Sequence, residues 1–133
     1  MTVVVDASAL IRALAPDEDG MAGSAVLARA AAAGAIAPQV LADEVVHAAV
    51  KGVRCGRWSE DVARRLVAQA GDLGIELVDR TRPSTAQVDL ALATGLTAAD
   101  AAYVLLAHET GLPLVTADAA MRRAAAACGI ACV

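Results

Sequence analysis

The sequence predicts an α/β fold in which helices cover both faces of a parallel sheet. Short apolar runs of strand length alternate with longer alanine- and leucine-rich stretches of helical length, which is the order of βα units. Several of the strand candidates are wholly apolar rather than alternating, as is typical of strands covered on both faces. A glycine that could form a left-handed helix C-cap stands one to three residues before four of them: Gly34, Gly74, Gly111 and Gly129.

Five runs are strand candidates, and the stretches between them are helix candidates. In chain order the runs are TVVV at 2–5, AIA at 35–37, IELV at 75–78, PLVT at 113–116 and IACV at 130–133. The chain has 133 residues and contains no linker, repeat or low-complexity block. We therefore expect residues 1–133 to form a single domain.

The composition limits the classes of function. A hydrophobic share of 58% excludes a disordered chain, and an aromatic share of 2% means that the core is built from Ala, Val, Leu and Ile. An acid interrupts the first apolar stretch and no apolar run reaches the length of a membrane span, so we expect a cytoplasmic protein without membrane contact. The three cysteines lack a CxxC spacing, which favours reduced thiols over a zinc site. With a net charge of −4, any polyanion must be met by a local basic patch or by bound cations.

Two aspartates follow strand candidates. Asp6 comes directly after the first strand in VVVDAS, and Asp118 follows PLVT by one residue. Because ligands of open parallel sheets bind at the carboxyl ends of the strands, both acids are expected at that edge. Each is equally well placed to be the N-cap of the next helix, and the residues alone leave both interpretations open.

Two further acids lie on helix candidates. Asp100 follows Thr97 at the spacing of a capping box and precedes Tyr103 by one turn, which makes a polar pair on an apolar helix. The helix candidate over 40–51 is apolar around almost its whole circumference, so we expect it to be covered on most sides. Its polar strip, which faces either solvent or a wet cleft, consists of Asp43, Glu44, His47 and Lys51.

Carboxylates gathered at one sheet edge predict a metal site. Two carboxylates about 4 Å apart repel each other by roughly 4 kcal/mol at an effective dielectric near 20, so the cluster takes up protons or binds a cation. Oxygen ligands favour Mg²⁺ or Mn²⁺, which retain water and bind phosphate readily. Such a cation could polarise a phosphodiester and activate water, and it would let a net-acidic chain accept a polyanion.

Taken together, these residues resemble those of the PIN-domain ribonucleases, in particular the VapC toxins of VapBC toxin-antitoxin pairs. The resemblance spans nearly the full chain and is carried by VVVDASAL, APQVLADEV, TAADAAYVLLAHETGLPLVTADAAM and AAAACGIACV. It implies a three-layer α/β/α sandwich with about five parallel strands in the order 3-2-1-4-5. The catalytic, metal-binding acids that it implies are Asp6, Glu44, Asp100 and Asp118. The hydroxyl residues that it places beside them, as supports or water ligands, are Ser8 and Thr116.

The function that this resemblance implies is Mg²⁺- or Mn²⁺-dependent endonucleolytic hydrolysis of RNA. The family also implies a homodimer and inhibition by a VapB-type antitoxin whose tail occupies the acidic groove. Because Trp58 and Tyr103 are the only aromatic residues, RNA recognition would depend on shape and phosphate contacts. The basic residues that could contact RNA are Lys51, Arg54, Arg57, Arg80 and Arg82.

Two alternative functions stay open. A catalytically silent PIN-fold binding module would share the fold without cleaving RNA, and loss of Mg²⁺ or Mn²⁺ binding would favour it. A phosphoaspartate receiver or phosphotransferase also places an acid after its first strand. That chemistry generally needs a second nearby acid and a late lysine, whereas here the motif is DAS and the sole lysine is Lys51.

Overall fold

The computed structural model describes residues 2–17 and 34–133, together with Ala28 and Ala32. Its strands are β1 (Val3–Val5), β2 (Ala35–Pro38), β3 (Glu76–Val78) and β4 (Leu114–Val115). Its helices are α1 (Ala7–Leu14), α2 (Val40–Arg54), α3 (Glu60–Gly71), α4 (Thr85–Thr94), α5 (Ala98–Thr110) and α6 (Ala119–Ala127).

The sheet is parallel and has the strand order β3-β2-β1-β4. This order confirms the first four positions of the predicted 3-2-1-4-5 arrangement. The fifth candidate, at 130–133, contributes a parallel bridge between Cys132 and Leu114 rather than a strand. Leu114 N donates to Ala131 O at 2.8 Å, and Val133 N donates to Leu114 O at 3.0 Å. Since β4 has only two residues, it offers room for one such bridge.

Three layers form around β1. All three valines of β1 are buried, as expected for β-branched residues in a central strand covered on both faces. Helix α5 packs against β1, β2 and β4, with α4 and α6 beside it. Helices α1, α2 and α3 pack on one another, and α2 also contacts β2. The α/β/α sandwich predicted from the sequence is therefore present.

Gly111 ends α5 in the left-handed conformation. Its φ is 70°, and its N–H donates to the carbonyl of Ala107. A residue with a Cβ rarely adopts this conformation, so glycine lets the chain leave α5 and enter β4 within three residues. The other three glycines singled out in the sequence, Gly34, Gly74 and Gly129, also have positive φ.

Helix α2 is less covered than its apolar sequence predicts. Its buried residues, spaced three or four positions apart, are Leu41, Val45, Ala49 and Gly52. On the outer side Val46 is 46% exposed and Val50 is 39% exposed. The expectation that this helix is covered on most sides is therefore wrong, because about half of its residues are exposed.

Trp58 closes the packing between α2 and α3. Its ring is buried, and Nε1 donates to the carbonyl of Ala49 at 2.9 Å. The ring lies directly on Gly52, where a Cβ would stand 2.1 Å from Cε2 of the indole. The guanidinium of Arg57 lies over the Trp58 ring at 4.6 Å from its centroid, and Arg57 also pairs with Asp17 at 2.9 Å. Gly52 therefore has no room for a side chain.

No single helix in the described part of the chain is long and apolar enough to cross a membrane. Helices α4 and α5 together reach that length and composition, but the chain bends by 109° between them.

Candidate active site

A cleft of about 800 Å³ opens at the carboxyl ends of β1 and β4. Its acidic lining consists of Asp6, Asp43, Glu44, Asp100 and Asp118. Its basic lining includes Arg12, Lys51 and Arg57. The four acids singled out in the sequence therefore meet in one place, although they come from four different parts of the chain.

Asp6 is the most buried of these acids, with 1% of its surface exposed. Its Oδ1 caps α1 by accepting from Ala9 N at 2.9 Å, and the Ser8 hydroxyl lies 2.9 Å from both carboxylate oxygens. The Thr116 hydroxyl donates to Oδ2. Burial raises the pKa of Asp6 above its ordinary value, the hydrogen bonds oppose the rise, and the charge of Asp100 adds to it.

The hydroxyls of Ser8 and Thr116 join the end of β4 to the start of α1. Ser8 Oγ accepts from Ala117 N at 3.0 Å, and Thr116 Oγ1 accepts from Asp118 N at 3.0 Å. A hydroxyl has one proton to donate, and in both residues the acceptor for that proton is the carboxylate of Asp6. Both hydroxyls, predicted to support the acids, therefore hold Asp6 in one orientation.

Asp118 begins α6. Its Oδ1 accepts from Ala120 N at 2.8 Å, which makes it the N-cap, and its side chain also lines the cleft. The two interpretations left open by the sequence are thus compatible, because Asp6 and Asp118 each cap a helix and face the cleft. A carboxylate has two oxygens, so capping through one leaves the other available to a ligand.

Helices α2 and α5 bring Glu44 and Asp100 to the same cleft. Thr97 caps α5 by accepting from Asp100 N at 3.1 Å, while the Asp100 side chain lines the cleft. The Tyr103 hydroxyl, one turn further along α5, donates to Oε1 of Glu44.

Asp100 is electrostatically coupled to the other three acids. Burial raises the pKa of Glu44, a rise that the Tyr103 hydrogen bond opposes and the charge of Asp100 increases. Burial likewise raises the pKa of Asp100, with the charge of Asp118 adding to the rise. The charge of Asp100 also contributes to the raised pKa of Asp6. The cleft therefore concentrates negative charge around Asp100.

A second cavity, of about 720 Å³, lies at the opposite ends of β1 and β4. Apolar residues dominate its lining, among them Val3, Leu112 and Ile130, and its ionisable residues are His108 and Cys128. Since convergent polar and charged groups mark the cleft beside Asp6, that cleft is the candidate active site.

A protein-family model described as the PIN domain matches residues 3–127, which is nearly the whole chain. The chain belongs to the PIN domain family. PIN domains are typically nucleases and generally use divalent metal ions.

This PIN domain also resembles solved structures. Seven chains match, and one of them is PAE2754 from Pyrobaculum aerophilum. Its TM-score is 0.74 at 24% sequence identity, and the match covers 100% of this chain and 84% of that one. At this identity the likeness concerns the fold. No curated protein matches the chain.

The basic rim of the PIN domain differs in part from the sequence prediction. Of the five basic residues expected to contact RNA, Lys51 and Arg57 line the cleft. The other three, which are exposed and do not line it, are Arg54, Arg80 and Arg82. Arg80 donates to Glu109 at 3.0 Å, which ties it to α5.

Sequence reasoning missed two arginines that lie beside the acids. Arg12 lines the cleft from α1, and the Arg122 guanidinium donates to the carbonyl of Thr116 at 3.1 Å. Arg12 stands six residues after Asp6, and its approach to the cleft depends on how α1 packs against α2. No sequence spacing indicates this position, because residues six apart on a helix do not share a face.

The acids do not form a closed metal cage. Within residues 2–17 and 34–133, no group of three or more histidine, cysteine or acidic side chains is arranged to hold a metal ion by itself. The oxygen donors gathered here nevertheless have the chemistry that Mg²⁺ and Mn²⁺ prefer. An ion bound here would have to complete its coordination with water.

The raised pKa values predict how the stability of the metal-free PIN domain depends on pH. A carboxyl whose pKa is higher in the folded chain stabilises the fold fully below its unfolded value, and this contribution is lost as pH rises through the folded pKa. We therefore expect Asp6, Glu44 and Asp100 to add stability as pH falls towards the ordinary pKa of aspartate and glutamate, at about 4. In Asp100→Asn the gain should be smaller, because one carboxyl is gone and its charge no longer acts on the others.

Thermal denaturation in EDTA measures this gain. The difference between the two proteins removes the contribution of Asp17, whose pKa is lowered by its hydrogen bond with Arg57 in both. An equal change of melting temperature with pH in wild type and Asp100→Asn would contradict the expectation.

Proposed function

We propose that this PIN domain is a metal-dependent endoribonuclease. The observation that carries the proposal is the meeting of four acids from separate elements in one cleft with a basic rim: Asp6, Glu44, Asp100 and Asp118. Helix capping alone does not explain why the four acids meet, because Glu44 and Asp100 lie within helices rather than at N-cap positions. Burial raises the pKa of three of the four carboxyls and the charges of neighbouring acids add to the rise, so ionising them in this cleft costs free energy that a bound cation would offset.

The residues fit Mg²⁺ or Mn²⁺ better than a softer metal. Mg²⁺ usually binds through one or two carboxylates and keeps several waters, so a closed set of protein ligands is not needed. Asp6, Glu44, Asp100 and Asp118 are the proposed ligands, directly or through water. A divalent ion bound here supplies polarisation of a phosphodiester and activation of water.

The chain's own residues hold the ligands and the substrate. Ser8 and Thr116 fix the carboxylate of Asp6 through their hydroxyls. Arg12, Lys51 and Arg57 would contact the phosphates that flank the scissile bond, and Arg54, Arg80 and Arg82 would contact RNA further out. Water attacks phosphorus in line and forms a new P–O bond, the bond from phosphorus to the 3′-oxygen breaks, and a proton of the water passes to that oxygen. The products then carry 5′-phosphate and 3′-hydroxyl ends.

Cleavage assays on structured RNAs test this proposal. Purified wild-type protein should cut RNA in the presence of Mg²⁺ or Mn²⁺. No cleavage is expected in an excess of EDTA or from the Asp118→Asn variant. Sequencing of the 5′ ends would identify the cleavage site and the end chemistry. Cleavage that proceeds unchanged in EDTA would refute the metal-dependent mechanism, and absent cleavage together with absent Mn²⁺ binding would favour a silent binding module.

Metal binding should also be visible as stabilisation. A ligand that binds only the folded state at about 100 times its dissociation constant adds about 2.7 kcal/mol. We expect Mn²⁺ to raise the melting temperature of wild type clearly, and that of Asp100→Asn much less, because Asp100 faces all three other acids. Calorimetric melting with and without Mn²⁺ measures the difference. Equal increases in the melting temperature of the two proteins would mean that Asp100 does not contribute to metal binding.

We further propose that the chain is the VapC-type toxin of a VapBC pair and forms a homodimer. Support comes from exposed apolar side chains, which mark interaction surfaces when they cluster. Val88 and Leu92 lie one turn apart on α4 and are 57% and 80% exposed, and Val46 and Val50 form a similar pair on α2. Sedimentation of the purified chain, alone and with a VapB-type antitoxin encoded by an adjacent gene, tests both assemblies.

A further inference from the structure

We infer that Tyr103 is a positioning residue for Glu44, which it holds in the orientation that a divalent cation at the cleft requires. The inference rests on the metal site of the proposed function. Its starting point is the hydrogen bond from the Tyr103 hydroxyl to Oε1 of Glu44, which joins α5 to α2 across the cleft.

Burial decides which of the two residues positions the other. Tyr103 is completely buried within the core, so its ring has no room to turn away from Glu44. Glu44 is only half-buried, and its side chain has three rotatable bonds. The rigid tyrosine therefore fixes the flexible glutamate. The hydrogen bond engages one carboxylate oxygen and leaves the other free to bind a cation.

Helix α5 thereby sets the position of two acids. Asp100 lies on α5 itself, one turn before Tyr103, and both side chains line the cleft. The placement of Glu44 relative to Asp100 therefore depends on a single helix and one hydrogen bond. Groups that orient metal ligands in this way typically change metal affinity by 10- to 100-fold when they are removed.

A purely structural role is the competing explanation. A buried tyrosine hydroxyl needs a hydrogen-bond partner, and Glu44 could serve only to satisfy it. The two roles differ in what Tyr103→Phe changes, because phenylalanine keeps the ring and removes only the hydroxyl. A structural role affects the melting temperature alone, whereas a positioning role also affects metal affinity.

Titration calorimetry with Mn²⁺ on the full chain, without RNA, separates these roles. We expect Tyr103→Phe to weaken Mn²⁺ binding by about 10-fold or more. In a Glu44→Gln background the same change should alter affinity by less than about 2-fold, because the residue through which Tyr103 acts is already lost. Thr110→Val is the matched control, since it removes a hydroxyl from the same helix, where Thr110 donates to Leu106 O at 2.7 Å. Its Mn²⁺ affinity should equal that of wild type.

Three results would overturn the inference. They are equal Mn²⁺ affinity in wild type and Tyr103→Phe, an undiminished effect of Tyr103→Phe in the Glu44→Gln background, and no Mn²⁺ binding by wild type. Because binding is measured without RNA, the outcome is independent of nuclease activity. A wild-type chain that binds Mn²⁺ through Tyr103 and Glu44 but cleaves no RNA would refute the proposed function and leave the positioning role intact.

Discussion

Asp6→Asn is expected to lower RNA cleavage by at least about 100-fold at saturating Mn²⁺. A catalytic metal ion contributes several kcal/mol of transition-state stabilisation, and each 1.36 kcal/mol corresponds to about tenfold in rate. Asparagine also cannot accept all the hydrogen bonds that Asp6 accepts. Three donors converge on the Asp6 carboxylate, from Ala9 N, the Ser8 hydroxyl and the Thr116 hydroxyl. The amide of asparagine offers one acceptor oxygen and an NH₂ group that is itself a donor, so at least one of these donors meets another donor.

Single-turnover cleavage of one RNA by wild type and Asp6→Asn measures this effect. Asp89→Asn makes the same charge change on the exposed surface of α4, away from the cleft, and should cleave at the wild-type rate. If Asp6→Asn retains more than about a tenth of wild-type activity, Asp6 contributes less than about 1.4 kcal/mol to transition-state stabilisation. The metal site would then have to be placed elsewhere.

Gly52→Ala is expected to destabilise the fold by about 1 to 3 kcal/mol, although glycine to alanine inside a helix normally stabilises by about 1 kcal/mol. The added methyl would stand 2.1 Å from Cε2 and 2.2 Å from Cζ2 of Trp58, well inside van der Waals contact. The indole is buried and donates to Ala49 O, so it cannot move without losing both its packing and its hydrogen bond. The clash therefore outweighs the gain in helix propensity.

Chemical and thermal denaturation measure the loss. A destabilisation of this size should lower the melting temperature by roughly 10 °C in a domain of this length. Gly71→Ala is the control, because Gly71 also lies in a helix but an added Cβ would meet nothing within 4 Å. It should be neutral or slightly stabilising. Equal behaviour of the two variants would mean that the Trp58 ring is free to shift.

The parts of the site that the sequence predicts are those fixed by strand ends. Asp6 and Asp118 follow parallel strands, so chain direction alone brings them to one edge. Glu44 and Asp100 are identifiable as polar positions on apolar helices, and the family pattern joins them to the site. The bond between Tyr103 and Glu44, by contrast, depends on the packing of two helices from distant parts of the chain, which periodicity does not encode.

The failures of prediction have physical reasons. An apolar residue in the sequence does not show whether another element packs on it in the fold. The exposure of Val46 and Val50 was therefore not foreseen. The run at 130–133 has strand composition, yet β4 is only two residues long and pairs with it once. Arg12 was missed as a cleft residue because its place depends on the approach of α1 to α2.

The pairing of β1 with β4 has a consequence for synthesis of the chain. The Thr116 hydroxyl that holds Asp6 lies 110 residues later in the chain, and Asp118 follows it. While a ribosome is still making the helices before β4, the nascent chain carries Asp6, Glu44 and Asp100 but lacks the strand that completes their site. The proposed metal site is therefore completed only after β4 has been synthesised, so it is among the last parts of the fold to form.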